Sequence, residues 1–271
     1  RSSWVTGVQT CALPIFDEGS VMGRPSEEQI DREIARAVEQ GGDRERIERM
    51  GRYTGVTADL DTGRPGPTLA FRFDMDCVDV GEDTSPDHRP AKEGFASVNP
   101  CRMHACGHDA HTAIGLGVAE LLTEMKGRLC GRVRLIFQPG EEGCRGAYAM
   151  MKKGVVDDVD FFLAMHIGGG VPTGTFGLNS LGYLATTKLD ARFTGVPAHA
   201  AGAPHMGRNA LLAAAAAALG LHSIAPHRDG AMRLNVGVLQ AGTGRNVVPA
   251  EALMKVETRG ETPAGDRKSV V

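Results

Sequence analysis

Between Met103 and Thr112 the chain reads Met-His-Ala-Cys-Gly-His-Asp-Ala-His-Thr, which places a thiol, three imidazoles and a carboxylate in ten positions. Thiolate and imidazole are metal ligands, and a Cys-x-His pair inside a cluster this dense points to a metal site. A lone Cys would more simply be a small buried hydrophobe, and a lone His a surface polar residue. The next residues, Ile114, Val118, Leu121, Leu122 and Met125, recur at helical spacing, so the cluster should sit at a helix N-terminus. The unpaired N–H groups and positive dipole end there are expected to stabilise a thiolate at Cys106.

Two further strings carry chemistry. Gln138-Pro139-Gly140-Glu141-Glu142-Gly143 sets adjacent carboxylates on a turn. Alone they would be solvated charge; beside a Cys/His cluster they suggest that one ligates a metal while the other moves a proton. His166 follows the apolar run Phe161–Met165 and precedes Gly168-Gly169-Gly170. A satisfied strand-end histidine is the plain alternative, and its position favours a ligand. Asp74-Met75-Asp76 ends another apolar run.

The elements that would position these groups are legible. Ser26-Glu27-Glu28-Gln29 fits a capping box, followed by Ile30, Ile34 and Val38 before Gly41-Gly42. Val56–Leu60 and Thr68–Phe73 read as strands around a turn-rich link, and Val133–Phe137 as a third. A short helix should run from Gly146 to Lys153, and Phe161–Met165 has the pattern of a buried strand. Residues 79–100, rich in turn formers, read as a long surface loop, usually functional in a compact domain. Strands alternating with helices predict an α/β domain with a mostly parallel sheet, and Asp76, Glu141-Glu142 and His166 all fall just after strands, where they can converge.

From Tyr183 the period changes. Leu189, Ala191 and Phe193 alternate, Asn209–Leu221 is an alanine-rich helix, and Leu234/Val236/Val238 and Ala252/Met254/Val256 alternate again. This predicts a smaller, incomplete α+β domain with antiparallel strands. The expected division is 17–182 for the metal-binding domain and 183–265 for the smaller one.

Bulk properties narrow the function. With 271 residues, 30 Lys+Arg and 33 Asp+Glu, the formal net charge of −3 offers no general attraction to nucleic acid or membrane, so a small molecule or another protein is expected as partner. The six cysteines form no paired framework, which reads as a reduced, cytoplasmic protein. No apolar run is long enough to span a bilayer. Residues 1–16 have no clear period, and Trp4–Ile15 reads like translated sequencing-adaptor sequence; 266–271 give the same impression, and both ends are taken as non-native.

Met-His-Ala-Cys-Gly-His-Asp-Ala-His-Thr, Gln-Pro-Gly-Glu-Glu-Gly, Ala-Met-His-Ile-Gly, Gly-Val-Pro-Ala-His-Ala and Gly-Arg-Asn-Ala-Leu-Leu, in this order, resemble the M20 metallopeptidase family in its amidohydrolase branch of aminoacylase-like and hippurate-hydrolase-like enzymes. Within that branch, strings such as Gly154–Asp160 and Ala241–Ala250 resemble A-type subunits of enzymes that cleave p-aminobenzoyl-glutamate. The resemblance implies a hydrolase with two divalent metal ions, Mn2+ or Zn2+, held by Cys106, His108, Glu142 and His166. It implies Glu141 as general base and Asp76 as a residue that orients a ligand. It also implies that the smaller domain is a ferredoxin-like lid and dimerisation domain, pairing with a second copy or a B-type subunit. There His199 would reach a neighbouring active site and polarise the scissile carbonyl, and Asn246 and Arg259 would hold the substrate carboxylate. Their plain alternatives are a turn-forming Asn and a solvated strand-end Arg.

The implied substrate is an amide between an aromatic acyl group and an amino acid such as glutamate, with general N-acyl-amino-acid deacylation as the alternative. The family's last metal-ligating histidine lies after the smaller domain, whereas the last histidine here is His227, so the chain alone is expected to bind metal weakly and to be inactive. Two rival classes are a structural zinc module or non-catalytic subunit, which would not need the adjacent Glu141-Glu142 pair, and a thiol hydrolase using Cys106 as nucleophile.

Overall fold

The computed structural model describes residues 9–11, 25–143, 145–168, 170, 172–178, 182–225 and 230–268. Most of the N-terminal segment taken as non-native, Cys144, Gly169, His227 and residues 269–271 lie outside them. The chain divides into two compact units, residues 1–170 and 171–271.

In the first unit, α1 (Glu27–Glu39) begins with the expected capping box: Ser26 Oγ accepts the Gln29 N–H at 3.3 Å, and Gln29 Oε1 accepts the Ser26 N–H at 3.0 Å. A shorter helix, α2 (Arg44–Arg49), follows. The sheet contains β1 (Gln9–Cys11), β2 (Val56–Asp61), β3 (Thr68–Asp74), β4 (Arg132–Gln138) and β5 (Phe161–Ala164), in the order β1-β2-β4-β3-β5.

β4 and β5 flank β3 in parallel, with Asp74 opposite Gln138 and Arg72 opposite Ala164. The three carboxyl ends therefore share one edge, and the segments after them leave together. β2 runs antiparallel to β4 and to β1, so the sheet is mixed where a mostly parallel one was expected. The cause is local. Only residues 62–67 join β2 to β3, too few for a parallel crossover, which takes a dozen or more. At that edge Gly131 packs so tightly that a Cβ on it would lie 2.1 Å from the Pro67 carbonyl oxygen.

Helices cover both faces. α4 (His108–Met125) lays Val118 and Leu122 on Leu60, Phe73, Val133, Leu135 and Phe137. α5 (Gly146–Lys152) packs Ala149 and Met150 on Ala70 and Ile136. Gly115 of α4 faces the Phe73 and Phe137 rings without room for a side chain, so α4 lies close to the sheet with its N-terminus at the strand ends. β5 departs from expectation: Phe161, Phe162 and Leu163 are about half exposed, because β5 is the edge strand. Residues 79–100 form an irregular loop with one short helix, α3 (Arg89–Lys92), clipped by Glu82, which pairs with His88 Nε2 at 2.9 Å and accepts the Ser97 N–H.

The second unit is a three-stranded antiparallel sheet of β6 (Ala185–Thr194), β7 (Met232–Ala241) and β8 (Glu251–Gly260), in the order β6-β8-β7. α6 (Ala210–His222) starts at Asn209, whose Oδ1 accepts the Leu212 N–H at 3.0 Å, and packs Ala210 and Ala214 against Ala252 and Phe193. α7 (Pro263–Lys268) brings Asp266 into the interior, where it accepts hydrogen bonds from Thr258 Oγ1 at 2.7 Å and from Thr187 Oγ1. Alternation with an alanine-rich helix thus produced the α+β arrangement read from the sequence.

Candidate metal centre

The site lies in the first unit and is built on one glycine. Gly107 adopts φ +84, a left-handed conformation that a residue with a Cβ adopts only at a cost, and it turns the chain into the first residue of α4. Cys106 is thereby held just ahead of the helix, His108 at its start and His111 three residues on, on the same face. His108 and His111 are fully buried.

The environment of His108 decides what the cluster can hold. Its Nδ1 lies 2.8 Å from the Asp76 backbone carbonyl oxygen, an acceptor only, so Nδ1 carries a proton, and in the neutral ring Nε2 has the lone pair. That lone pair has no hydrogen-bond partner among the described residues. It faces carboxylate oxygens instead: Asp74 at 3.7 Å, Glu142 at 3.8 Å and Glu141 at 4.0 Å. Acceptors facing acceptors in a buried place repel unless a cation lies among them. The residues present therefore fit a divalent metal. Cys106, His108 and Glu142 offer donor atoms within 4.8 Å of one another, as do Asp74, His108, His111 and His166, and the two groups share His108.

Around this centre, His166 Nδ1 donates to the Ile167 carbonyl at 2.6 Å, and its Nε2 lies 3.5 Å from Cys106 Sγ. Asp76 Oδ2 accepts the Glu142 N–H at 3.1 Å. Asp76 thus touches both His108, through its carbonyl, and the Glu141-Glu142 turn, through its side chain. Burial alone would raise the Asp74 carboxyl, but the hydrogen bond from His111 and the charge of Arg72 hold it below the usual carboxylate range.

Cys106 departs from the expectation of a thiolate stabilised by the helix terminus. Burial, together with the carboxylates of Glu142, Glu141 and Asp74, pushes its thiol up to about 11. Those negative groups outweigh the helix dipole, which contributes only about 1 kcal/mol. Carboxylates around the thiol disfavour a free thiolate nucleophile, whereas a cation among them would favour the thiolate, so the setting suits a metal ligand better than a thiol hydrolase. A closed structural zinc site is equally ill matched, since carboxylates crowd the centre.

Cys106, His108, Glu141, Glu142, His166 and Asp76 are thus brought together. His199, Asn246 and Arg259 lie exposed in the second unit. There the Ala200 N–H donates to the Asn246 carbonyl at 3.0 Å, which sets the His199 and Asn246 loops side by side, and His199 Nδ1 accepts the N–H groups of Ala201 and Gly202. Arg259, on β8, pairs with Glu257 at 3.0 Å and stands opposite Thr186 and Arg233. Asp74 and His111 were not singled out from the sequence. Their signal was present in the first Asp of Asp74-Met75-Asp76 and the third histidine of the cluster, but neither spacing marks them as partners.

The model of peptidase family M20/M25/M40 matches residues 70–243. The chain is 62% identical over 254 residues to indole-3-acetyl-aspartic acid hydrolase of Enterobacter agglomerans, covering 93% of this chain and 58% of that protein. It is 58% identical over 247 residues to the A-type subunit of p-aminobenzoyl-glutamate hydrolase from Escherichia coli (strain K12), covering 91% and 57%. Among solved structures it resembles the aminobenzoyl-glutamate utilization protein from Klebsiella pneumoniae, with TM-score 0.74 and 51% identity, over 97% of this chain and 60% of that one. It also resembles a Bacillus subtilis protein described as a dinuclear metal binding peptidase from the M20 family, with TM-score 0.51 and 31% identity, over 90% and 61%. The chain spans under three fifths of the length of the two curated relatives.

Proposed function

The chain belongs to peptidase family M20/M25/M40, and from that premise we propose that it carries the metal centre of an amidohydrolase that cleaves N-acyl amino acids, p-aminobenzoyl-glutamate or a similar compound among them. The carrying observation is the buried Nε2 of His108, without a hydrogen-bond partner among the described residues and facing Asp74, Glu141 and Glu142. The names of the two curated relatives support the substrate class: each joins an aromatic acyl group to an acidic amino acid.

In this reading Cys106, His108, Glu142 and His166 hold two divalent ions, Mn2+ or Zn2+. Both ions suit this mixed donor set, and the B. subtilis protein described as dinuclear supports the number. Once bound, they supply Lewis acidity toward the scissile carbonyl and lower the pKa of water. Glu141, with its carboxylate partly exposed beside His108, takes the proton from the attacking water and returns it to the leaving amine. Asp76 keeps the Glu142 backbone and the His108 ring in place.

The second unit acts as a lid and dimerisation domain of ferredoxin-like character, meeting a second copy or a B-type subunit. It offers His199 to the carbonyl oxygen of a neighbouring site, and Asn246 and Arg259 to the substrate carboxylate, where a planar guanidinium presents paired donors. We place the protein in the cytoplasm: no helix among the described residues is long and apolar enough to cross a membrane, and Cys77, Cys101, Cys106 and Cys130 are free.

The test, run on the full-length protein together with a B-type partner, is metal content measured with hydrolysis of p-aminobenzoyl-glutamate and indole-3-acetyl-aspartate. Cleavage should be chelator-sensitive, and Glu141→Gln should lower kcat about 10²–10⁴-fold while leaving the bound metal in place. Chelator-resistant cleavage would refute the metal assignment. Metal binding without cleavage of any acyl amino acid would refute the substrate assignment alone.

A further inference from the structure

Asp74 and His111 are fully buried, and the roles above give them no task. Both ring nitrogens of His111 are engaged. Nδ1 meets Asp74 Oδ1, while Nε2 accepts the backbone N–H of Ile167 at 2.8 Å. Because an amide N–H only donates, Nε2 carries the lone pair and Nδ1–H donates to Asp74. An imidazole committed in this way has no lone pair left for a cation, although its atoms lie among possible metal donors.

Ile167 is gripped from a second side. A Cβ on Gly107 would stand 2.8 Å from both Cδ1 and Cγ1 of Ile167, so the Cys106–His108 turn packs its backbone on that side chain. The residue so fixed directly follows His166, whose ring bonds the Ile167 carbonyl and turns Nε2 toward Cys106. At the other end, Arg72 donates to Asp74 Oδ2 from Nη1 and to Gln138 Oε1 from Nε, both at 2.7 Å, and Gln138 opens the turn to Glu141-Glu142. One hydrogen-bonded chain, Gln138–Arg72–Asp74–His111–Ile167, buried at Asp74 and His111, therefore links every element that supplies a ligand in the reading above.

We propose that Asp74 and His111 form a positioning pair that holds the His166 loop against the Cys106 turn, so that the donor atoms are arranged for a divalent cation before it arrives. The proposal rests on the metal reading of Cys106, His108, Glu142 and His166. Such outer partners typically contribute 10–100-fold in metal affinity.

The experiment is a Co2+ titration of the full-length protein, following thiolate-to-cobalt absorption and stoichiometry, with thermal unfolding monitored by circular dichroism. His111→Phe fills the space but makes neither bond. His111→Gln keeps an amide donor for Asp74 and an acceptor for Ile167. His111→Phe should bind the same number of ions 10–100-fold more weakly, and His111→Gln should recover most of the loss. If His111→Phe does not fold, His111→Asn, too short to reach Ile167, serves in its place. Loss of a whole ion that His111→Gln does not restore would make His111 a ligand and overturn the proposal. Wild-type affinity in every variant would also overturn it. Cobalt binding needs no substrate, so a protein that shows the expected affinities but cleaves no acyl amino acid sinks the substrate reading and leaves this one standing. A wild-type protein that binds no cobalt sinks both.

Discussion

Replacing Gly115 by alanine adds one methyl group at the point where α4 lies closest to the sheet. The new Cβ would stand 2.6 Å from Phe137 Cε1 and 2.8 Å from Phe73 Cδ2. Carbon atoms pack comfortably at about 3.5–4.0 Å, so the helix or the rings must yield by roughly 1 Å. Both rings lie in the closed core, and overpacking of this kind costs about 1–3 kcal/mol. Alanine's better helix propensity returns about 1 kcal/mol, so net destabilisation of the first unit should be about 1 kcal/mol. Gly117, in the same helix, provides the control: nothing lies within 4 Å of its Cβ position, and Gly117→Ala should stabilise by up to about 1 kcal/mol. The two variants should therefore differ by about 2 kcal/mol, or roughly 4–8 °C in Tm, by differential scanning calorimetry. Because His108 and His111 ride on α4, Gly115→Ala should also weaken divalent-metal binding, and Gly117→Ala should not. If both variants stabilise the protein equally and bind metal like the wild type, α4 is not held against the sheet as described.

Other residues give independent checks. Asp76→Ala removes the acceptor for the Glu142 N–H and should weaken metal binding about 10–100-fold by calorimetric titration; unchanged affinity would show that the Glu141-Glu142 turn needs no such anchor. Arg134 bonds Asp59, Asp158 and the Val155 carbonyl, so Arg134→Met should cost about 1–2 kcal/mol in urea unfolding at pH 7. Arg134 holds the Asp158 carboxyl below its ordinary range, so this ion pair's contribution is present above the unfolded pKa of about 4 and is lost as pH falls through the lower folded value. The gap between wild type and Arg134→Met should therefore narrow in acid, and a gap that widened would reverse the argument. Asp266→Ala leaves the buried Thr258 and half-buried Thr187 hydroxyls without their acceptor and should destabilise the second unit by about 1–3 kcal/mol; an unchanged melting profile would show that α7 does not hold β6 and β8 together.

Much of the architecture could be read from local patterns, because those patterns report on burial and chain reversal. The helical spacing after Thr112 located α4, the Ser26–Gln29 box located α1, and the alternation after Tyr183 located the antiparallel sheet. The short link from β2 to β3 was visible in the chain, but the insertion of β4 between them, which makes the sheet mixed, is a pairing that no local pattern records. β5 looked buried because its composition is that of a core strand, but a strand's place at the edge of a sheet is not written in its own residues.

The candidate site divides in the same way. By itself the sequence determined which donor types are present and that they follow strands or open a helix, since residue identity and spacing carry that information. Only the tertiary structure decided which atoms face one another. It set His108 Nε2 among three carboxylates, raised the Cys106 thiol through burial and negative neighbours on other elements, and joined Asp74 to His111 across 37 positions of chain. Electrostatic fields and hydrogen bonds depend on distances through space, and these arise only once β3, β4, β5 and α4 meet at one edge of the sheet.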